Sequence, residues 1–166
     1  MQDIARKRWI SLLAVIAVAV MIFFFSAQEG EDSANLSGDV TEGVLSMVVP
    51  GFRDFTEARK AEYLDRFGIV VRKCAHFLEF ALLAVTLSIH LHYVMLKSRF
   101  RLIAMAAWGF ATLYAATDEL HQIFVNERGP SLGDVSIDSA GALAGAVAGI
   151  GLIILWHKHK RRSRLA

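Results

Sequence analysis

The chain has 166 residues, 55% of them apolar, with a mean hydropathy of +0.43. Soluble domains carry about 45–50% apolar residues, so composition argues against an ordinary water-soluble domain. The formal net charge of +2 hides a strong segregation, because eleven of the 18 Lys and Arg residues lie in three short segments: Arg6 to Arg8, Lys97 to Arg101, and Lys158 to Arg164. That pattern signals membrane topology rather than nucleic-acid binding, and Cys74 as the only cysteine excludes an intramolecular disulfide or a thiolate metal cluster.

Four apolar runs fix the class: residues 9–25, 75–96, 102–117 and 139–156. At ~1.5 Å per helical residue they reach ~24 to ~33 Å, near the ~30 Å hydrocarbon thickness. The expected fold is all-α: a single polytopic membrane domain over residues 1–166, a four-helix transmembrane bundle with an external amphipathic helical segment between spans 1 and 2. The basic segments place both termini and the turn between spans 2 and 3 in the cytoplasm. Asp3 is the one acid among those segments; the other 15 fall on the outer side or in the outer part of the spans.

Arg6-Lys7-Arg8 before the first apolar run also fits a secretory signal peptide. Cleavage after Ala27 would put Phe25 where a small residue is wanted, so a retained span is favoured; a cleaved start would leave three spans and an outer N-terminus. In the external segment, residues 26–71, Leu36, Val40, Val44, Met47 and Val48 form a helical stripe ended by Pro50-Gly51. Such a helix lies on the outer membrane surface, lids the bundle, or packs on the span ends. Residues 52–67 mix charges with Phe55, Tyr63 and Leu64 on no clean face and read as a solvated helix. Cys74 reads as a small helix-packing residue.

In the second span, Arg72, His76, Glu79, Leu83, Thr86 and His90 repeat by four and three, a stripe suited to a helix interface. The short basic turn then makes spans 2 and 3 antiparallel. At the end of span 3, Tyr114, Thr117, Asp118, His121 and Gln122 share one helical face, with Glu119 off it. His76 and Glu79 are expected to meet Asp118 and His121 at similar depth. After Arg128-Gly129-Pro130, Ser131 to Asp134 resembles a capping box. On the helix it opens, Asp134, Asp138, Gly141, Gly145 and Gly149 share a face whose glycines permit close backbone approach. Ionisable groups near hydrocarbon are costly unless they face protein or water, so this many on three matched faces point to function more than to a polar network that merely locks helices. Thr86 and Tyr114 read as packing or hydrogen-bonding residues, His90 and His92 as inner-end residues, and His157 and His159 as part of the basic tail.

Arg72-Lys73-x-Ala75-His76-Phe77-x-Glu79-Phe80, Asp118-Glu119-x-His121-Gln122-x-Phe124, Arg128, and Asp134-x-x-x-Asp138-x-x-Gly141-x-x-x-Gly145 together resemble the signature of the VanZ-like family, as does Ser26-x-Gln28 after the first span. Asn126-Glu127 departs from that pattern, which has Pro-Gly before Arg128. The resemblance implies a bacterial envelope protein of the plasma membrane, associated in the family's founding member with lowered susceptibility to glycopeptides such as teicoplanin. It implies no settled reaction.

The first reading is an enzyme acting on an envelope lipid or lipid-linked cell-wall intermediate. Arg72, Lys73 and Arg128 would hold phosphate. His76 or His121 would move a proton, oriented by Glu79 or Asp118. Asp134 and Asp138 would orient substrate, with Glu119 and Gln122 beside them. This chemistry needs no cofactor, yet the i, i+3 pairs His76/Glu79 and Asp118/His121 also suit a metal; cofactor and metal stay open. The second reading is a non-catalytic binder of a head group, cell-wall precursor or glycopeptide, since no nucleophile elbow, P-loop or zincin spacing occurs. The third, an ion-coupled transporter, gains from Glu79 and loses from four spans without a repeat.

Overall fold

The computed structural model describes residues 2–28, 30–96, 98–126 and 129–163. Five helices follow in order: α1 (Gln2–Ser26), α2 (Gly30–Val48), α3 (Glu57–Val94), α4 (Phe100–His121) and α5 (Leu132–Arg162). Single 3-10 turns lie at Phe52–Asp54 and Gln122–Phe124, and no strand occurs among the described residues. α1, α3, α5 and α4 with its 3-10 extension are long and apolar enough to cross a membrane. The protein is an all-α polytopic bundle.

Interhelical contacts fix the directions. At one end, Arg8 donates to the Tyr93 carbonyl at 2.8 Å, Ser11 lies 3.0 Å from His90, and His157 meets His92 at 3.1 Å. At the other, Gln122 reaches Ser26 and Lys73 reaches Asp134. Successive spanning helices therefore alternate in direction, leaving α3 and α5 parallel. The first end carries Arg6 to Arg8, Arg99, Arg101 and the basic residues of α5 from Lys158 to Arg162, and will be called the basic end. The second gathers the carboxylates and will be called the site end.

Small residues hold the bundle together. Lipid tails are as apolar as leucine, so packing between spans rests on van der Waals contact and close approach rather than on hiding surface from water. Ala107, Ala111 and Ala115 on α4, and Ala142 and Ala146 on α5, are fully buried around Phe80, Leu83 and Ala84 of α3. α3 and α5 touch most extensively along the glycine face. A Cβ built on Gly141 would overlap the Phe77 carbonyl, one on Gly145 would overlap that of Ala81, and one on Gly149 would sit 2.7 Å from the Ser88 Cβ. Trp108 and Thr112 of α4 clasp Ser139 of α5 by hydrogen bonds of 3.0–3.2 Å.

One local expectation narrows and two change. Of the Leu36 to Val48 stripe, Leu36 and Val40 close over a cavity against α1 and α3, as a lid does, while Val44 is 44% and Met47 88% exposed and the neighbouring Thr41 and Leu45 are buried. The exposed part of the stripe, Val44, Met47 and Val48, suits contact with lipid. Residues 52–67 are not a helix of their own: Phe52–Asp54 form a 3-10 turn, and α3 runs unbroken from Glu57 into the second span. Phe52, buried by a reversal at Gly51 with φ of 72°, instead starts an aromatic chain through Phe55 and Tyr63 to Phe67, with ring centroids 5.6–5.9 Å apart. Cys74 is exposed rather than packed between helices.

Candidate functional site

The site end is built where the starts of α3 and α5 meet the end of α4. Ser131 begins α5 by accepting the Asp134 N–H at 3.2 Å, as its sequence spacing suggests. One turn further on, Asp134 and Asp138 face α3 because the glycine ridge below them draws the two helices together. Asp134 pairs with Lys73 at 2.6 Å, both side chains partly exposed. Asp138 is fully buried; its Oδ1 lies 3.9 Å from His76 Nδ1, beyond hydrogen-bond reach, and neither carboxylate oxygen has a hydrogen bond among the described residues. Asp118, Glu119, Asp134 and Glu79 are all near enough to act electrostatically on Asp138. A fully buried carboxylate among four others is costly unless function or further partners compensate it.

The end of α4 closes the other side. Asp118, Glu119 and Gln122 are buried, and the Gln122 amide lies 3.3 Å from Ser26 Oγ, 3.3 Å from Glu119 and 3.5 Å from Asp118. Glu119, placed off the polar face by helical spacing, is in fact buried because the loop before α5 folds over it: the Ser131 N–H donates to Glu119 at 2.7 Å. Thr117 is exposed and bonds only its own helix at the Tyr114 carbonyl. Tyr114 instead ties α4 to α1 by donating to the Ala19 carbonyl at 2.8 Å.

His121 stands apart from this arrangement. Its ring packs on Phe23 of α1 with centroids 4.8 Å apart, and its buried Nδ1 has no hydrogen bond among the described residues. Arg128 lies outside the described residues. Among those described, no three His, Cys, Asp or Glu side chains converge as a metal site requires. The i, i+3 pairs of α3 and α4 therefore do not come together as one ligand set.

A cavity of about 220 Å³ opens between the end of α1, α2 and residues 71–79 in the middle of α3. Arg72, His76, Glu79 and Gln28 supply its polar wall, and Phe25, Leu36, Val40 and Val71 its apolar one. Arg72 makes no ion pair among the described residues. His76 belongs to both parts of the site, lining the cavity while Asp138 stands behind its ring. The stripe containing Leu36 and Val40 carried the signal for a lid over the bundle without naming the span it covers, and Ser37, which lines the same cavity, carried none. Gln28 carried a signal only as part of Ser26-x-Gln28.

Comparison with known proteins adds one finding. No curated protein and no solved structure matches the chain. A family model described as VanZ/LLP1 matches residues 11–156, from the first span through the fourth and including every described residue of the site. The chain belongs to the VanZ/LLP1 family of membrane proteins.

Proposed function

We propose that the site end faces out of the cell and that the cavity beneath α2 takes the anionic head group of an envelope lipid or lipid-linked cell-wall intermediate, with His76 moving a proton there. The observation that carries this reading is the cavity wall, which sets Arg72 and His76 against Phe25, Leu36, Val40 and Val71. A guanidinium matches phosphate oxygens by paired hydrogen bonds, and the adjoining apolar wall suits the first carbons of a lipid tail. The Asp138 carboxylate stands 3.9 Å behind His76 Nδ1, and a closer approach of the two during reaction would let it take up or return the imidazole proton.

Sidedness follows from charge. Lys and Arg concentrate at the basic end, which the positive-inside rule assigns to the cytoplasm together with both termini of the bundle. An outward site at the lipid interface has access to precursors exposed on the envelope side. Binding or altering them would change what a glycopeptide meets, in keeping with the family's link to resistance.

The test reconstitutes the full chain in nanodiscs with a polyprenyl diphosphate and follows both binding and conversion of the head group. Wild type is expected to bind and convert it, and His76→Ala to bind within a few fold of wild type while conversion falls ~10²-fold or more. Binding without conversion by wild type would remove the catalytic step and leave a binder. Absence of binding would overturn the reading.

A further inference from the structure

A second cavity, of about 550 Å³, lies at the basic end between the start of α1 and the end of α3, far along the bundle from the site described above. We propose that it is a binding site for the phosphate head of an anionic phospholipid, independent of the function proposed for the site end. Trp9, Leu12 and Leu96 give it an apolar wall, and Arg8 and His90 line the same space.

Arg8 carries the inference. Its Nε donates to the Tyr93 carbonyl at 2.8 Å, which holds the side chain against α3. No carboxylate pairs with it among the described residues, since Asp3, the acid of this segment, is taken by Arg6 at 3.4 Å and Lys7 at 2.6 Å. A guanidinium fixed at one nitrogen and bordered by apolar side chains presents its remaining N–H groups to an anion. His90 is fixed as well, through Ser11, whose hydroxyl proton goes to the Arg8 carbonyl at 3.0 Å, so that the ring approaches from Nδ1.

Two further features specify a lipid rather than a free phosphate. The cavity is mostly apolar and opens beside Trp9, a residue type that anchors at the membrane interface. Basic pockets between spanning helices on the cytoplasmic side accept anionic lipid heads, with neighbouring Lys and Arg adding long-range attraction. Here Lys7 and Lys160 both lie near the Trp156 ring, at 5.9 and 5.2 Å, so the ends of α1 and α5 form one positive rim.

The test is native mass spectrometry of the full chain released from mixed micelles containing equal amounts of phosphatidylglycerol and phosphatidylcholine with the same acyl chains. Wild type is expected to retain one phosphatidylglycerol in preference to phosphatidylcholine. Arg8→Gln, which keeps a donor for Tyr93 but removes the charge, should reduce that retention about tenfold or more, and Lys60→Gln, at the other end of the bundle beside Glu57, should leave it within about twofold. Ala5→Glu, which sets a carboxylate one turn from Arg8 in the cavity wall, serves as a second variant and should reduce retention as strongly. Equal retention of the two lipids, survival of the preference in both Arg8→Gln and Ala5→Glu, or a loss in Lys60→Gln as large as in Arg8→Gln would overturn the site. Displacement of the lipid by millimolar glycerol phosphate would overturn the lipid as its occupant.

Discussion

Asp138 sets the character of the site at the scale of single residues. It is fully buried, with His76 Nδ1 3.9 Å from its Oδ1 and four carboxylates near enough to act on it. Buried like charges destabilise a fold, and sites that retain them trade stability for function. Asp138→Asn is expected to leave the melting temperature of the detergent-purified protein unchanged or raised by a few degrees, because it removes repulsion while keeping the side-chain shape. Conversion of bound head group should nevertheless fall ~10²-fold or more, since an amide cannot accept the His76 proton. A strong loss of stability would mean that Asp138 holds the helices together instead. The Lys73–Asp134 pair weighs less: with both side chains partly exposed, its contribution is ~1 kcal/mol or below.

Most of these residues are legible in the sequence, because ionisable groups at i, i+3 and i+4 in an apolar helix stand out. Asp138 and His76 fall on facing stripes for that reason. Glu119 escapes such a reading because helical spacing describes one helix, and its partner, the Ser131 N–H, comes from a loop twelve residues on. His121 shares its helical face with Asp118 but is drawn aside by Phe23 of α1. No pattern within α4 announces a ring on another helix.

At the scale of elements, the α3–α5 contact positions the acids. Gly145 sits where a side chain would drive into the α3 backbone at Ala81, whereas Gly151 faces open space on the same helix. Gly145→Leu is expected to destabilise the bundle by ~2–3 kcal/mol or to prevent assembly, because the obstacle is backbone and cannot rotate away. Gly151→Ala should be neutral or stabilising by up to ~1 kcal/mol, the gain in helix propensity. Unfolding of the two variants in a denaturing detergent titration compares them directly; equal stabilities would contradict the ridge. The four-residue glycine period is enough by itself to announce this contact. The matching alanine face of α4 is less distinct, since alanine serves equally well on a lipid-facing surface, and the aromatic chain from Phe52 to Phe67 is hidden because half of it precedes the helix.

At the scale of the whole molecule, charge and polarity separate along one axis. The basic end carries cations fixed by backbone and aromatic contacts, and the site end carries buried carboxylates beside α2, whose stripe lines a cavity at Leu36 and Val40 and is exposed at Val44, Met47 and Val48. Span number, direction and this polarity can be read from hydropathy and charge alone. The cavity cannot, because it depends on α2 folding back over α1 and α3, a tertiary event that leaves only the amphipathic stripe as its trace. In the assembled molecule, Arg72 is the cavity cation without a carboxylate partner among the described residues, and it is exposed enough that its removal should not disturb the fold. The most direct measurement is the affinity of the purified full chain for a short-chain polyprenyl diphosphate, compared between wild type and Arg72→Gln. The account expects at least ~10-fold weaker binding by the variant, the loss of a charge-assisted pair to phosphate, with an unchanged melting temperature. Equal affinities would contradict the claim that this cavity receives the anionic head group.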